Sequence, residues 1–334
     1  MHHPISLSRR AVFAAGVSAV AAALLPKQAR ARASWPDKPI KMIVPFGPGA
    51  STDTIARYIA GKLSQRLDQQ VVVENKVGAG GIVGTNFVAL QPADGYTLLF
   101  QSSPYVTAPL MGGASKKHVY DPTKDLQAVG MVGAAPFMIV VGNEVQAKSL
   151  RELINLARTK PHSINYGSSG VGTFNHLGGE LLGITANIKL VHVPYTGFGP
   201  VMTDFLGGRL QMLVATFPAA LSYVRAGKIR ALAVTGAQRS PLMPELPTMS
   251  EAGVPGYELE GWWGLLSPPG LPASILKRLN DELNAILAMP DTIKLLAHDG
   301  ATPRPGSPEH FTNLIRREDA RWRKVIHDAQ LSTE

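Results

Sequence analysis

Short β-branched runs alternate with longer amphipathic ones from residue 40 to residue 235, and that order constrains the fold of this chain most. Residues 40–46 (IKMIVPF) read as a buried strand, and Ser51 and Thr52 then cap a helix running to about residue 67. Strands at 71–74 and 97–100 flank a helix at 82–90. Parallel neighbours need a crossover, usually a helix, so this order predicts an α/β fold with a mostly parallel sheet covered on both faces. Residues 121–133 read as a connection, after which the strand pattern restarts at 137–141. Ser149, three residues before Glu152, forms a capping box for a helix at 149–159. Strands at 163–166, 190–194, 211–216 and 229–235 then alternate with helices at 173–182, 199–206 and 219–226. Residues 240–269 are rich in Pro and Gly, with Tyr257, Trp262 and Trp263 as an aromatic cluster. The two tryptophans either line a cleft or fill a core. Two amphipathic helices follow, at 273–288 and 308–328. In the second, Phe311, Leu314, Ile315, Trp322 and Val325 make a packing stripe. Two βα arrays joined by a strand pair imply two lobes, with the ligand cleft between them.

The first 33 residues read as a cleaved export signal. Arg9 and Arg10 precede fifteen uncharged residues, 11–25, and Ala31 and Ala33 form an Ala-x-Ala cleavage pattern. The apolar stretch is shorter than the roughly 20 residues of a spanning helix. Ser8-Arg9-Arg10 is a partial twin-arginine signal, with Val12 where Phe is usual, so either export route stays open. The leader holds five basic residues and no acidic one, so its loss takes the formal charge from +9 to +4. No Lys/Arg stripe with interleaved aromatics favours nucleic acid. The chain has no cysteine, which excludes disulfides and thiolate chemistry. The remainder reads as a soluble monomer stabilised by its core.

Three glycine-rich loops follow strands: FGPGASTDT (46–54), NKVGAGGIVGT (75–85) and GSSGVGT (167–173). A strand feeding a helix start exposes unpaired N–H groups that suit an anion. Gly78-x-Gly80-x-x-x-Gly84 departs by one residue from the dinucleotide spacing, and the third loop lacks the lysine of a phosphate loop. Gly167-Ser168-Ser169-Gly170-Val171 lacks the last glycine of a nucleophile elbow. His176 and His192 are available as bases, but nothing identifies an orienting acid, so hydrolysis ranks below binding. His176 and Glu180, one helical turn apart, form half of a metal site, with His192 as a third ligand. The plainer alternative has His176 capping or lining the cleft and Glu180 in solvent. The reading that survives is a carboxylate cradle. Its candidate ligand-binding residues are Phe46, Pro48, Gly49, Ser51, Asp53, Ser102, Ser168, Ser169, Gly170, Gly172, Thr173, His176, Tyr195 and Thr196. Helix stabilisation is the alternative role for Asp53. No catalytic residue, metal or cofactor is assigned.

The ordered motifs WPDKPIKMIVPFGPG, VVVENKVGAGGIVGT, ADGYTLLF, INYGSSGVGTFNHLGGE, HVPYTG, FLGGRLQM, AGKIRALAVTGAQRS, LPTMSEAGVPGYELEGWWGL and RREDARW span residues 35–322. With them the chain resembles the periplasmic solute-binding proteins of tripartite tricarboxylate transporters, the Bug family. The resemblance implies a two-lobed periplasmic-binding-protein (Venus-flytrap) fold, with a mixed central sheet and flanking helices in each lobe. Lobe 1 would comprise residues 34–133 and 236–334, and lobe 2 residues 134–235. The 48–53 and 168–173 loops would grip one carboxylate of a small organic acid. The closed complex would dock on a membrane permease of large and small subunits, or on a sensor kinase as the alternative partner. Two departures stand out. Pro48-Gly49-Ala50 replaces Ala-Gly-Gly, and Ala215-Thr216-Phe217 lacks the family's frequent acid at a strand end.

Overall fold

The structure is a computed structural model, describing residues 35–111 and 119–331. The export-signal reading at 1–33 lies outside the described residues. From Lys38 onward the chain forms one compact unit.

The expected strands form where β-branched residues cluster. β1 (Ile40–Val44) pairs in parallel with β2 (Val71–Asn75) and β3 (Thr97–Ser102). Their crossovers are α1 (Ser51–Leu67) and α2 (Ile82–Ala89). On α1, Ile55, Ala56, Ile59, Ala60, Leu63 and Leu67 fall on one helical face and are buried. After β3 comes α3 (Pro104–Met111), a helix that the alternation did not announce.

β4 (Gln127–Gly142) corrects the connection expected at 121–133. Sixteen residues run as one strand. It is buried on both faces along most of its length, so no polar/apolar alternation marks it. Its glycines admit close neighbours: a side chain at Gly130 or Gly133 would meet Leu283 or the Thr302 carbonyl at 2.9 Å.

Beyond β4 the chain forms α4 (Leu150–Thr159), β5 (Asn165–Ser168), α5 (Phe174–Ala186), β6 (Val191–Pro194), α6 (Phe198–Leu206), β7 (Met212–Thr216), α7 (Phe217–Arg225) and β8 (Ile229–Val234). The capping box at Ser149 forms: the Glu152 amide donates to its hydroxyl at 3.2 Å. The Pro/Gly-rich region hides β9 (Glu260–Ser267), a second correction. Then follow α8 (Ala273–Leu287), α9 (Pro290–His298), the two-residue β10 (Thr302–Pro303) and α10 (Pro308–Asp328).

The strand order is β2-β1-β3-β9-β4-β7-β5-β6, with β8 and β10 also on β4. β4 changes partner midway. Residues 127–136 pair antiparallel with β9, and residues 137–142 with β7 and β8. Each half is thus a mixed sheet. Thr235 ties the crossing points together: its hydroxyl accepts from the Phe137 amide at 2.7 Å and donates to the Leu259 carbonyl at 2.6 Å. A core containing Ile43, Leu99, Ile139, Tyr166, Leu177, Trp262, Phe311 and Trp322 runs through both halves.

Thr235→Val keeps the shape but leaves a buried amide and carbonyl without this partner. Each such loss costs about 1–3 kcal/mol. Urea unfolding of this variant is expected to show a drop in stability of about 2 kcal/mol or more.

Candidate functional site

Four helices begin where four strands end. α1 follows β1, α3 follows β3, α5 follows β5 and α7 follows β7. β1 and β3 are parallel neighbours in one half-sheet, as β5 and β7 are in the other, so each pair of helices starts at one edge. Between these starts lies a cavity of about 270 Å³. Ser51 and Thr52 line it from α1, Ser103 and Pro104 at the start of α3, Phe174 from α5, and Thr216 and Pro218 at the start of α7. That volume holds about nine waters at roughly 30 Å³ each. A second cavity of about 580 Å³ shares Pro104 and Phe174 and is lined by Phe46, Ile82, Met111, Gly172 and Thr173 among others.

The helix starts are short of side-chain caps. Ala50, Thr173 and Thr216 are the N-caps of α1, α5 and α7, and none accepts a capping hydrogen bond through its side chain. This corrects the expected capping by Ser51 and Thr52, which fall inside the first turn. Thr173 spends its hydroxyl on the Gly170 carbonyl at 2.7 Å. First-turn amides therefore have few protein acceptors, and each helix start carries about half a positive charge. No Lys or Arg lines either cavity, and the one charged side chain is Asp299, in the smaller.

Of the sequence candidates, Ser51 and Ser102 line the smaller cavity, and Phe46, Gly172 and Thr173 the larger. Pro48 and Gly49 are exposed in the first loop. Asp53 is turned inward. It accepts from the Gly49 amide (3.0 Å), Arg57 (2.9 Å) and Asn75 (2.8 Å). Burial pushes its pKa up, but the hydrogen bonds and Arg57 charge outweigh that and hold it at about 2. It anchors the loop and lines neither cavity.

The third loop rests on a stack of imidazoles. His176 and His192 lie with ring centroids 3.8 Å apart, and Tyr166 stacks beyond His192 at 5.1 Å. The Gly172 amide donates to His176 Nδ1 at 3.0 Å. Ser168 Oγ sits 2.6 Å from His192 Nε2 and accepts from the Gly170 amide at 3.2 Å. Ser169 donates to Asn175 at 3.1 Å. The Ser168 hydroxyl is buried beneath the loop, outside both cavities. Glu180 accepts from the Tyr166 hydroxyl at 2.5 Å, which corrects its placement in free solvent. Tyr195 and Thr196 do not line either cavity, and the Tyr195 hydroxyl donates to Asp204 at 2.7 Å. Trp262 is buried in the core and also lines the cavity, and Trp263 donates from Nε1 to Thr52 at 3.2 Å.

Comparison with known proteins agrees with this architecture. Residues 55–331 match the tripartite tricarboxylate transporter family receptor. The chain belongs to this receptor family. It is 37% identical to Protein BugT of Bordetella pertussis over 297 residues, covering 88% of this chain and 90% of that one. Rpa4515 from R. palustris, solved with adipate, superposes with a TM-score of 0.73 at 35% identity, over 89% of this chain and 99% of its own. MatC from Rhodopseudomonas palustris, with bound malate, gives 0.70 at 29% identity, over 87% and 100%. The fold is therefore that of a periplasmic binding protein. The protein is a non-enzymatic transport receptor, and Ser168 with His192 serves the loop.

Burial lowers the pKa of His176 to about 4, with His192 beside it adding to the shift, and burial lowers that of His192 likewise to about 4. Their unfolded values lie near 6.5. Between these limits the unfolded chain binds more protons, so this contribution to stability is whole above about pH 6.5 and is lost as pH falls toward 4. His176→Asn with His192→Gln removes both titrations, while the amide oxygen introduced by His176→Asn remains an acceptor. Melting temperatures of this variant are expected to fall less between pH 6.5 and 4 than those of the wild type.

Proposed function

We propose that the protein captures a small organic carboxylate in the periplasm and delivers it to the membrane permease of a tripartite tricarboxylate transporter. The convergence of four helix starts on one cation-free cavity carries this reading. Such starts offer oriented N–H donors to an anion. Donors of this kind bind a carboxylate without holding it irreversibly. Charge-assisted hydrogen bonds contribute roughly 1.5–3 kcal/mol each, and micromolar binding needs about 8 kcal/mol after ordering costs. Adipate and malate, found with two relatives, are of this chemical class. Membership of the family supports the permease as partner and the periplasm as compartment, and no helix of the described residues is long and apolar enough to cross a membrane.

Two lobes, 34–133 with 236–334 and 134–235, would close on the ligand about the β4 and Thr235 crossings. The site is read as the helix starts with the 48–53 and 168–173 loops behind them. Closure would exclude water and strengthen the hydrogen bonds to the carboxylate.

Thermal shifts of ligand-stripped protein against mono-, di- and tricarboxylates, aromatic acids and amino acids test the reading, since a ligand of the native state raises its apparent stability. Saturable stabilisation by one group is expected, and a flat response across the panel counts against it. Ser51→Asp puts a carboxylate in the first turn of α1, where it favours the helix. Titration calorimetry is expected to show at least tenfold weaker ligand binding by this variant, with an unchanged or raised melting temperature.

A further inference from the structure

We propose that Asp299 makes this receptor selective for amino carboxylates, pairing its side chain with an ammonium group at the ligand end opposite the carboxylate. The proposal rests on the carboxylate reading above and names the ligand class within it. Asp299 is one of the residues lining the 270 Å³ cavity, and no other charged side chain lines that cavity.

Its position is fixed by the fold. Asp299 is the C-cap of α9, and its amide donates to the Leu296 carbonyl at 3.0 Å. Gly300 follows with φ +70°, a value that favours glycine, and a Cβ there would meet Phe217 Cβ at 3.0 Å. The turn therefore seats on the first residue of α7. This puts an acid at the α7 end of the cavity, where Thr216 is the N-cap and Pro218 lacks an amide donor. Ser51 and Thr52 of α1, with Ser102 and Ser103 before α3, offer hydroxyls along the same cavity.

The Asp299 carboxylate has little else to pair with. Oδ1 lies 3.2 Å from Nδ1 of His298, and no other hydrogen bond to its side chain occurs among the described residues. The His298 side chain is 84% exposed against 16% for Asp299. An ion pair with so exposed a partner is weak. A ligand dicarboxylate would set like charges facing across a narrow cavity. An ammonium would instead meet an opposite charge in a partly enclosed cavity, where Coulomb terms exceed those in bulk water. The carboxylate then lies toward α1 and α3, and the ammonium toward Asp299.

Titration calorimetry on the ligand-stripped full chain tests this with three matched series of about four to six carbons: ω-amino carboxylates, dicarboxylates and plain monocarboxylates. In the wild type the best amino carboxylate is expected to bind at least tenfold more tightly than the dicarboxylate of equal length. Asp299→Asn is expected to lower that ratio at least tenfold. Asp299→Ser, a smaller side chain, is the second variant should the first fold poorly. An unchanged ratio in either folded variant, or wild-type preference for the dicarboxylate, overturns the selectivity and leaves carboxylate capture standing. No binding by any member of the three series overturns the selectivity, and a flat response across the wider thermal-shift panel overturns the carboxylate reading itself.

Discussion

The backbone pairing of β4 is the constraint on which the rest depends. A buried strand must satisfy its amides and carbonyls along its length. β4 does so by pairing with β9 over its first part and with β7 and β8 over its last. One continuous strand therefore belongs to both mixed half-sheets. The ends of β3 and β7 are placed by the same ladders, β3 through β9 and β7 directly. Helix starts follow strand ends, so the cavity is a consequence of sheet register. Thr235 reinforces the crossing from the other side, through Phe137 and Leu259.

Binding an anion without cations shifts the work to the backbone. A lysine in such a cavity would be a strong point charge with a long, mobile stem. Helix starts are weaker and already oriented by the fold. Their cost is local: a helix without a side-chain cap forgoes about 1 kcal/mol. Ser149 and Ser307 supply such caps to α4 and α10, and neither residue lines the 270 Å³ cavity. Ala50, Thr173 and Thr216, at three of the four cavity-facing starts, do not. The omission falls where a ligand acceptor would complete the turn.

Much of this was legible in the sequence because period reports burial. Helix α1 and helix α10 lie within a residue of their expected bounds, since one face of each meets a core and the other meets water. The first part of β4, residues 127–133, reads as a connection in the sequence for the opposite reason. A strand covered on both faces shows no alternation, and Gly130 and Gly133 resemble turn residues while admitting Leu283 and Thr302. β9 carries Trp262 and Trp263 between glycines, and only its partners β3 and β4 reveal why. For the candidate site, strand-to-helix glycine loops pointed to elements whose helix starts line the two cavities. They could not tell which side chains those loops use on themselves. Asp299 and Thr216 carry no local mark at all, because their place is in a cavity built by segments far apart in the chain.

The third loop shows why a sequence rich in hydroxyls misleads about contact. Ser168, Ser169 and Thr173 all looked like ligand donors, yet each hydroxyl has a protein partner: His192, Asn175 and the Gly170 carbonyl. Those bonds hold Gly170 and Gly172 in positive-φ conformations, and a Cβ on Gly172 would come within 2.9 Å of Met111. Neutral imidazoles suit this support, because His176 accepts from the Gly172 amide through an unprotonated nitrogen. Protonation would place a donor against a donor. Burial of the stacked pair keeps both imidazoles neutral at neutral pH, each with one unprotonated nitrogen, so the shape of the loop and the low basicity of the histidines have one cause. The glycine loop is thus built as a rigid support for the start of α5, with its hydroxyls turned toward the protein.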